Sequence, residues 1–99
     1  MRFRIPNEAG NAMLRDREFG QKFQSALKEI GAEAAYLGTV DGQRGGYIVV
    51  NVEDPSRIPA VVEPLFLWIK ADIDLIPVMV PEDLAKAGPS IGSALQRWG

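Results

Sequence analysis

The stretch Gly46-Tyr47-Ile48-Val49-Val50-Asn51-Val52 decides how this chain folds. It carries large side chains at odd and even positions alike, so as a strand it is apolar on both faces and needs a cover on each. Ahead of it lies Val40-Asp41-Gly42-Gln43-Arg44, whose Asp-Gly pair is a hairpin signal. Glu33 to Thr39 therefore reads as its hairpin partner. The strand ends at Asn51 or Val52, before the Glu53-Asp54-Pro55 turn. One cover can come from the chain's own helices; the other has to come from elsewhere.

Working outward, Met1, Phe3 and Ile5 alternate with Arg2 and Arg4, the pattern of a strand with one apolar and one basic face, which Pro6 keeps short. Asn7 to Asn11 carries turn chemistry. Asp16 is placed to cap a helix whose Phe19, Phe23, Ala26, Leu27 and Ile30 fall on one stripe. Glu18 and Lys22 pair on its wet face, and Gly31 supplies the stop. Asp54 or Ser56 caps a second helix, with Ile58, Val62, Leu65 and Ile69 inward and Val61 and Trp68 beside them. Pro64 predicts a kink there, and Phe66 and Leu67 point elsewhere. Ile73 to Met79 reads as a fourth strand, at a sheet edge because of Pro77. A short helix from Pro81 and a last piece with Ile91, Leu95 and Trp98 in line complete a helical tail, residues 81–99. That tail needs a surface to lie on, and a dimer contact is the one expected.

The order is strand, helix, strand, strand, helix, strand. It predicts an α+β fold of the ferredoxin-like βαββαβ kind, a single domain over residues 1–99. Its four-stranded antiparallel sheet has the order 4-1-3-2, with both helices on one face. Ile48, Val50 and Val52 then face the helices, leaving Tyr47, Val49 and Asn51 on the open face.

Composition removes many chemistries. With neither cysteine nor histidine there are no disulfides, thiolate nucleophiles, imidazole bases or zinc-finger spacings. No metal and no cofactor is expected. The net charge of −2 argues against a phosphate-backbone partner. Arg44-Gly45-Gly46-Tyr47 invites comparison with RNA-recognition motifs, but Gly46, Ile48 and Asn51 stand where their aromatics belong. The glycines at 38, 42, 45 and 46 lack the Gly-Lys-Ser/Thr ending of a phosphate loop. The longest apolar run, Leu65 to Ile69, falls far short of a ~20-residue membrane span, and Met1 to Pro6 has no apolar h-region. Cytoplasmic residence is the default expectation.

Glu8-Ala9-Gly10-Asn11, Asp41-Gly42-Gln43-Arg44, Glu63-Pro64-Leu65-Phe66 and Lys70-Ala71-Asp72-Ile73-Asp74-Leu75-Ile76-Pro77-Val78-Met79, followed by Glu82-Asp83-Leu84, resemble a family of small uncharacterised bacterial proteins. That family is similar to the dimeric α+β barrels, which include muconolactone isomerase and cofactor-free monooxygenases. The resemblance implies a homodimer in which two open sheet faces enclose a cavity. No catalytic motif of those enzymes matches residue by residue.

In such a dimer Arg2, Arg4, Tyr36, Tyr47, Asn51 and Asp74 can point into one space. Arg4, Asn11, Tyr36, Tyr47 and Asn51 are the candidate ligand-binding residues. Asp74 and Glu8 are the candidate bases, with an arginine holding a ligand carboxylate or enolate and a tyrosine orienting it. Against this stands a plain alternative, in which a cross-strand Arg/Asp pair satisfies itself and the tyrosines pack in the interface. Glu8 and Asn11 are expected in a loop at the cavity mouth, or else simply close a turn. Arg44 is expected to be solvated and Glu63 to lie on the wet face of its helix. Asp72 and Asp74 alone are too few ligands for a cation site. The function expected is a small-molecule-binding or accessory module. The alternative is a cofactor-independent isomerase, lyase or monooxygenase acting on a small organic acid or aromatic.

Overall fold

Asp41 and Gly42 sit at φ 51° and 80°, both positive as a tight two-residue hairpin turn requires. They join β2 (Ala32–Val40) to β3 (Gln43–Val50), with Val40 opposite Gln43 and Tyr36 opposite Tyr47. The computed structural model describes residues 1–99. Short β1 (Arg2–Arg4) lies between β3 and β4 (Asp72–Asp74), antiparallel to both, so the four-stranded sheet runs β2-β3-β1-β4. The fold is thus α+β with an open antiparallel sheet.

Gly45 and Gly46 are what let three strands close up at this point. A Cβ on Gly45 would stand 2.1 Å from the Phe3 carbonyl oxygen, and one on Gly46, at φ 156°, would stand 2.0 Å from that of Tyr36. Each is where the backbone of a neighbouring strand approaches.

The segment expected as one turn and one helix is instead two helices. α1 (Asn7–Arg15) occupies the supposed turn, and α2 (Phe19–Glu29) follows. Ala9 and Met13 pack against the core, giving the first segment a reason to be helical. Its Gly10 serves close approach, since a Cβ there would meet Arg44 Nη1 at 2.7 Å. Asp16 accepts the Glu18 N–H at 2.9 Å and Lys22 Nζ at 2.7 Å, so Lys22 pairs with Asp16 rather than with Glu18. Gly31, at φ 73°, ends α2 as expected.

Asp54 accepts the Ser56 N–H and opens a 3-10 turn, Pro55–Arg57, that leads into α3 (Ile58–Ile69). Val61, Val62, Leu65 and Ile69 are buried, and Lys70 caps the helix in a left-handed conformation. Trp68 meets Phe19 and Phe23 of α2 at ring-centroid distances of 6.0 and 6.4 Å. Phe3 and Ile48 from the sheet, and Ile5 just past β1, close one core with Phe23, Ile30, Leu65, Ile69 and Ala71. Val50 is half-buried, and Asn51 and Val52 lie beyond the end of β3.

The fourth strand departs from expectation. Pairing stops at Asp74, and Leu75 to Val80 continue without a ladder, because Pro77 has no donor and no further strand lies alongside. α4 (Pro81–Lys86) and α5 (Gly88–Trp98) follow as expected in kind, but their side chains are exposed throughout, only Ala87 between them being half-buried.

Candidate functional site

Side chains alternate faces along a strand, so residues opposite one another across the sheet share a face. The pairings Asp74–Arg2, Arg2–Tyr47 and Tyr47–Tyr36 therefore make one continuous row on the face away from the core, spanning all four strands. The neighbouring row is Asp72, Arg4, Gly45 and Gly38. Two glycines leave the second row hollow beside Arg4.

A cavity of about 390 Å³ is lined by Arg2, Arg4, Asp41, Asp72, Asp74 and Phe66, with Val40 and Ile73. Arg2 donates to Asp74 Oδ2 through Nε at 3.2 Å and Nη2 at 2.5 Å. Arg4 donates to Asp72 through Nε at 3.1 Å and to Asp41 through Nη1 at 3.3 Å. Hydrogen bonding and then charge from Asp74 push the Arg2 guanidinium above its ordinary pKa. Both arginines are thus engaged by aspartates, Arg2 by Asp74 and Arg4 by Asp72 and Asp41. These side chains are partly solvated, so the pairs add little to stability and can exchange partners.

The candidate residues divide among three places. Arg4 and Asp74 line the charged cavity. Tyr47 and Asn51 line a separate apolar groove of about 620 Å³ at the end of the sheet, with Met1, Val49, Ile58 and Ile76 among its walls. Tyr36 stands beside Tyr47, 64% exposed against 51%. Glu8 and Asn11 do not stand at a loop mouth; they belong to α1 and line neither space. Asn11 Oδ1 instead accepts Arg44 Nη1 at 3.0 Å, while Arg44 stays exposed, as expected. Glu63 is exposed, as its helical position implied.

Asp41 is the cavity residue that sequence reasoning passed over. Its Asp-Gly turn signal accounts for it fully as a local feature, and only the return of β1 beside the hairpin puts Arg4 within reach. No three acidic side chains converge closely enough to hold a metal ion. No helix is long and apolar enough to cross a membrane. Compared with protein-family models, curated proteins and solved structures, the chain matches none.

Proposed function

We propose that the protein is a homodimer of ferredoxin-like subunits whose open sheet faces pack together as a dimeric α+β barrel, and that it binds a small organic molecule between them. The observation that carries this reading is the row Asp74–Arg2–Tyr47–Tyr36: two exposed aromatics continuing an ion pair across all four strands. A monomer rarely leaves two tyrosines side by side on an open face, and a second sheet is the cover that fits a flat one. The ligand offers hydrogen-bond acceptors to Arg4 and an apolar body to Phe66 in the same cavity. Three carboxylates outnumber two guanidinium groups in the cavity, which disfavours a multiply charged anion. Binding rather than turnover is preferred because every cavity aspartate already faces a guanidinium in a partly solvated ion pair, Asp74 with Arg2 and Asp72 and Asp41 with Arg4, the ordinary arrangement of a structural pair.

Sedimentation velocity at micromolar concentration tests the assembly: a dimer is expected, and Tyr36→Asp is expected to dissociate it. A stable monomer refutes the reading. Thermal-shift screening of small aromatic and carboxylic compounds tests the ligand, with stabilisation expected to disappear in Arg4→Ala. Saturable turnover abolished by Asp74→Asn would replace the binding module with an enzyme.

A further inference from the structure

We infer that the C-terminal arm, residues 75–99, packs on a second copy of this chain, with the apolar side of α5 seated in that copy's groove at the end of the sheet. The inference rests on the homodimer proposed above and names the part of one copy that holds the other.

The arm is built to be covered. Ile91, Leu95 and Trp98 fall at i, i+4 and i+7 on α5, a stripe that serves no purpose in water, yet Trp98 is 78% exposed and Leu95 66%. Leu84 on α4 and Val78, Met79 and Val80 before it are exposed as well. The surface area says how much is missing. A compact 10.8 kDa monomer exposes about 5,500 Å², whereas this chain exposes 7436 Å². The excess of about 1,900 Å² exceeds the roughly 800 Å² that each partner gives to a standard stable interface. The radius of gyration agrees, at 17.4 Å against about 13 Å for a compact chain of this length.

The arm is carried away from its own body. Leu75, Ile76, Pro77 and Val78 already line the groove as one of its walls, so the helices beyond them are delivered past it, along a molecule 58 Å long and 27 by 21 Å across. A two-fold axis resolves both problems at once. Each copy supplies one arm and one groove, and each receives the other, so both apolar surfaces are covered and the assembly closes. An unrelated partner would cover one and leave the other exposed. The charges on the two helices, Glu82, Asp83, Lys86 and Arg97, sum to zero, which gives no attraction to an anionic membrane or a nucleic acid.

The chain has no cysteine, so disulfide mapping reads cleanly. Leu95→Cys and Val49→Cys full-length chains are purified apart, mixed, equilibrated and oxidised. A covalent heterodimer is expected in high yield, and the Leu95→Cys/Val49→Cys double variant is expected to form cross-linked dimers. An intrachain disulfide in that double variant, or no disulfide in either experiment, overturns the inference. Leu95→Asp provides a second readout: the dimer dissociation constant is expected to rise at least tenfold while the far-UV circular dichroism of the folded chain stays unchanged. If Leu95→Asp leaves the dimer intact while Tyr36→Asp dissociates it, the arm inference fails and the face-to-face barrel stands. Cross-linking with a dimer insensitive to Tyr36→Asp keeps the arm and discards the barrel, and a monomeric wild type discards both.

Discussion

Arg2 places two donors, Nε and Nη2, on a single oxygen of Asp74 across the β1–β4 pair, at 3.2 and 2.5 Å. With Arg4 on Asp72 it is one of two side-chain ties on a strand only three residues long, and it is the one that sits immediately before the arm departs. In Asp74→Asn the tie is weakened without changing shape. Amide exchange at Asp72–Asp74 is expected to quicken several-fold, while the midpoint of global unfolding barely moves, because an exposed pair adds little to overall stability. Hydrogen exchange read residue by residue checks this; an equal rise across the whole sheet would refute it.

Glycine substitutions should separate two kinds of close approach. In Gly45→Ala the added methyl meets the Phe3 carbonyl oxygen, a backbone atom inside the sheet that cannot step aside. A loss of about 3 kcal/mol or more is expected, with β1 displaced. In Gly10→Ala the atom met is Arg44 Nη1, the end of a flexible side chain, so a cost under about 1 kcal/mol is expected with the Asn11 hydrogen bond broken. Urea unfolding of both variants, compared at equal m-value, measures the difference.

Neighbouring leucines on α3 should behave oppositely. Leu65 is fully buried, whereas Leu67 is 72% exposed. Leu65→Ala is expected to cost about 2–5 kcal/mol through lost burial and the cavity left behind. Leu67→Ala is expected to stay within about 0.5 kcal/mol. Chemical denaturation followed by Trp68 fluorescence reports both, and a large loss at Leu67 would mean that α3 is covered on its outer side.

Acid should loosen the entry to α2. Lys22 and the Glu18 N–H hold the Asp16 carboxyl below its ordinary pKa of 3.8, and Asp16 in turn holds Lys22 above 10.5. The carboxylate's contribution is therefore fully present above pH 3.8 and is lost as pH falls through its lower folded value. The lysine's is present below pH 10.5 and lost as pH rises through its higher folded value. Asp16→Asn should flatten both limbs together. Melting temperatures across the acid and alkaline ranges test it, and a variant with an unchanged acid limb would show that Asp16 carries none of it.

Much of the architecture was legible because it is local. The Asp41-Gly42 turn, the Phe23 and Ile30 stripe, Gly31 as a stop and the Leu65 and Ile69 face all follow from period and propensity within a few residues. α1 was misread because Gly10 and Asn11 look like turn residues in isolation; Gly10 is there for Arg44, thirty-four positions away. The site was half legible. Alternation put Arg2, Arg4, Tyr36, Tyr47 and Asp74 on one face, but the pairing of Arg2 with Asp74 and of Arg4 with Asp72 and Asp41 depends on register between strands distant in sequence.

The sequence by itself determined that Tyr47 to Val50 forms a strand needing a cover on each side, because its side chains are large at every position. Only the tertiary structure decided which residues meet. It aligned Asp74, Arg2, Tyr47 and Tyr36 across four strands, ended β4 at Asp74 and sent the arm outward without a surface of its own. Periodicity is a property of a segment, whereas register and cover are properties of segments brought together, and their free energy comes from contacts that no single stretch contains.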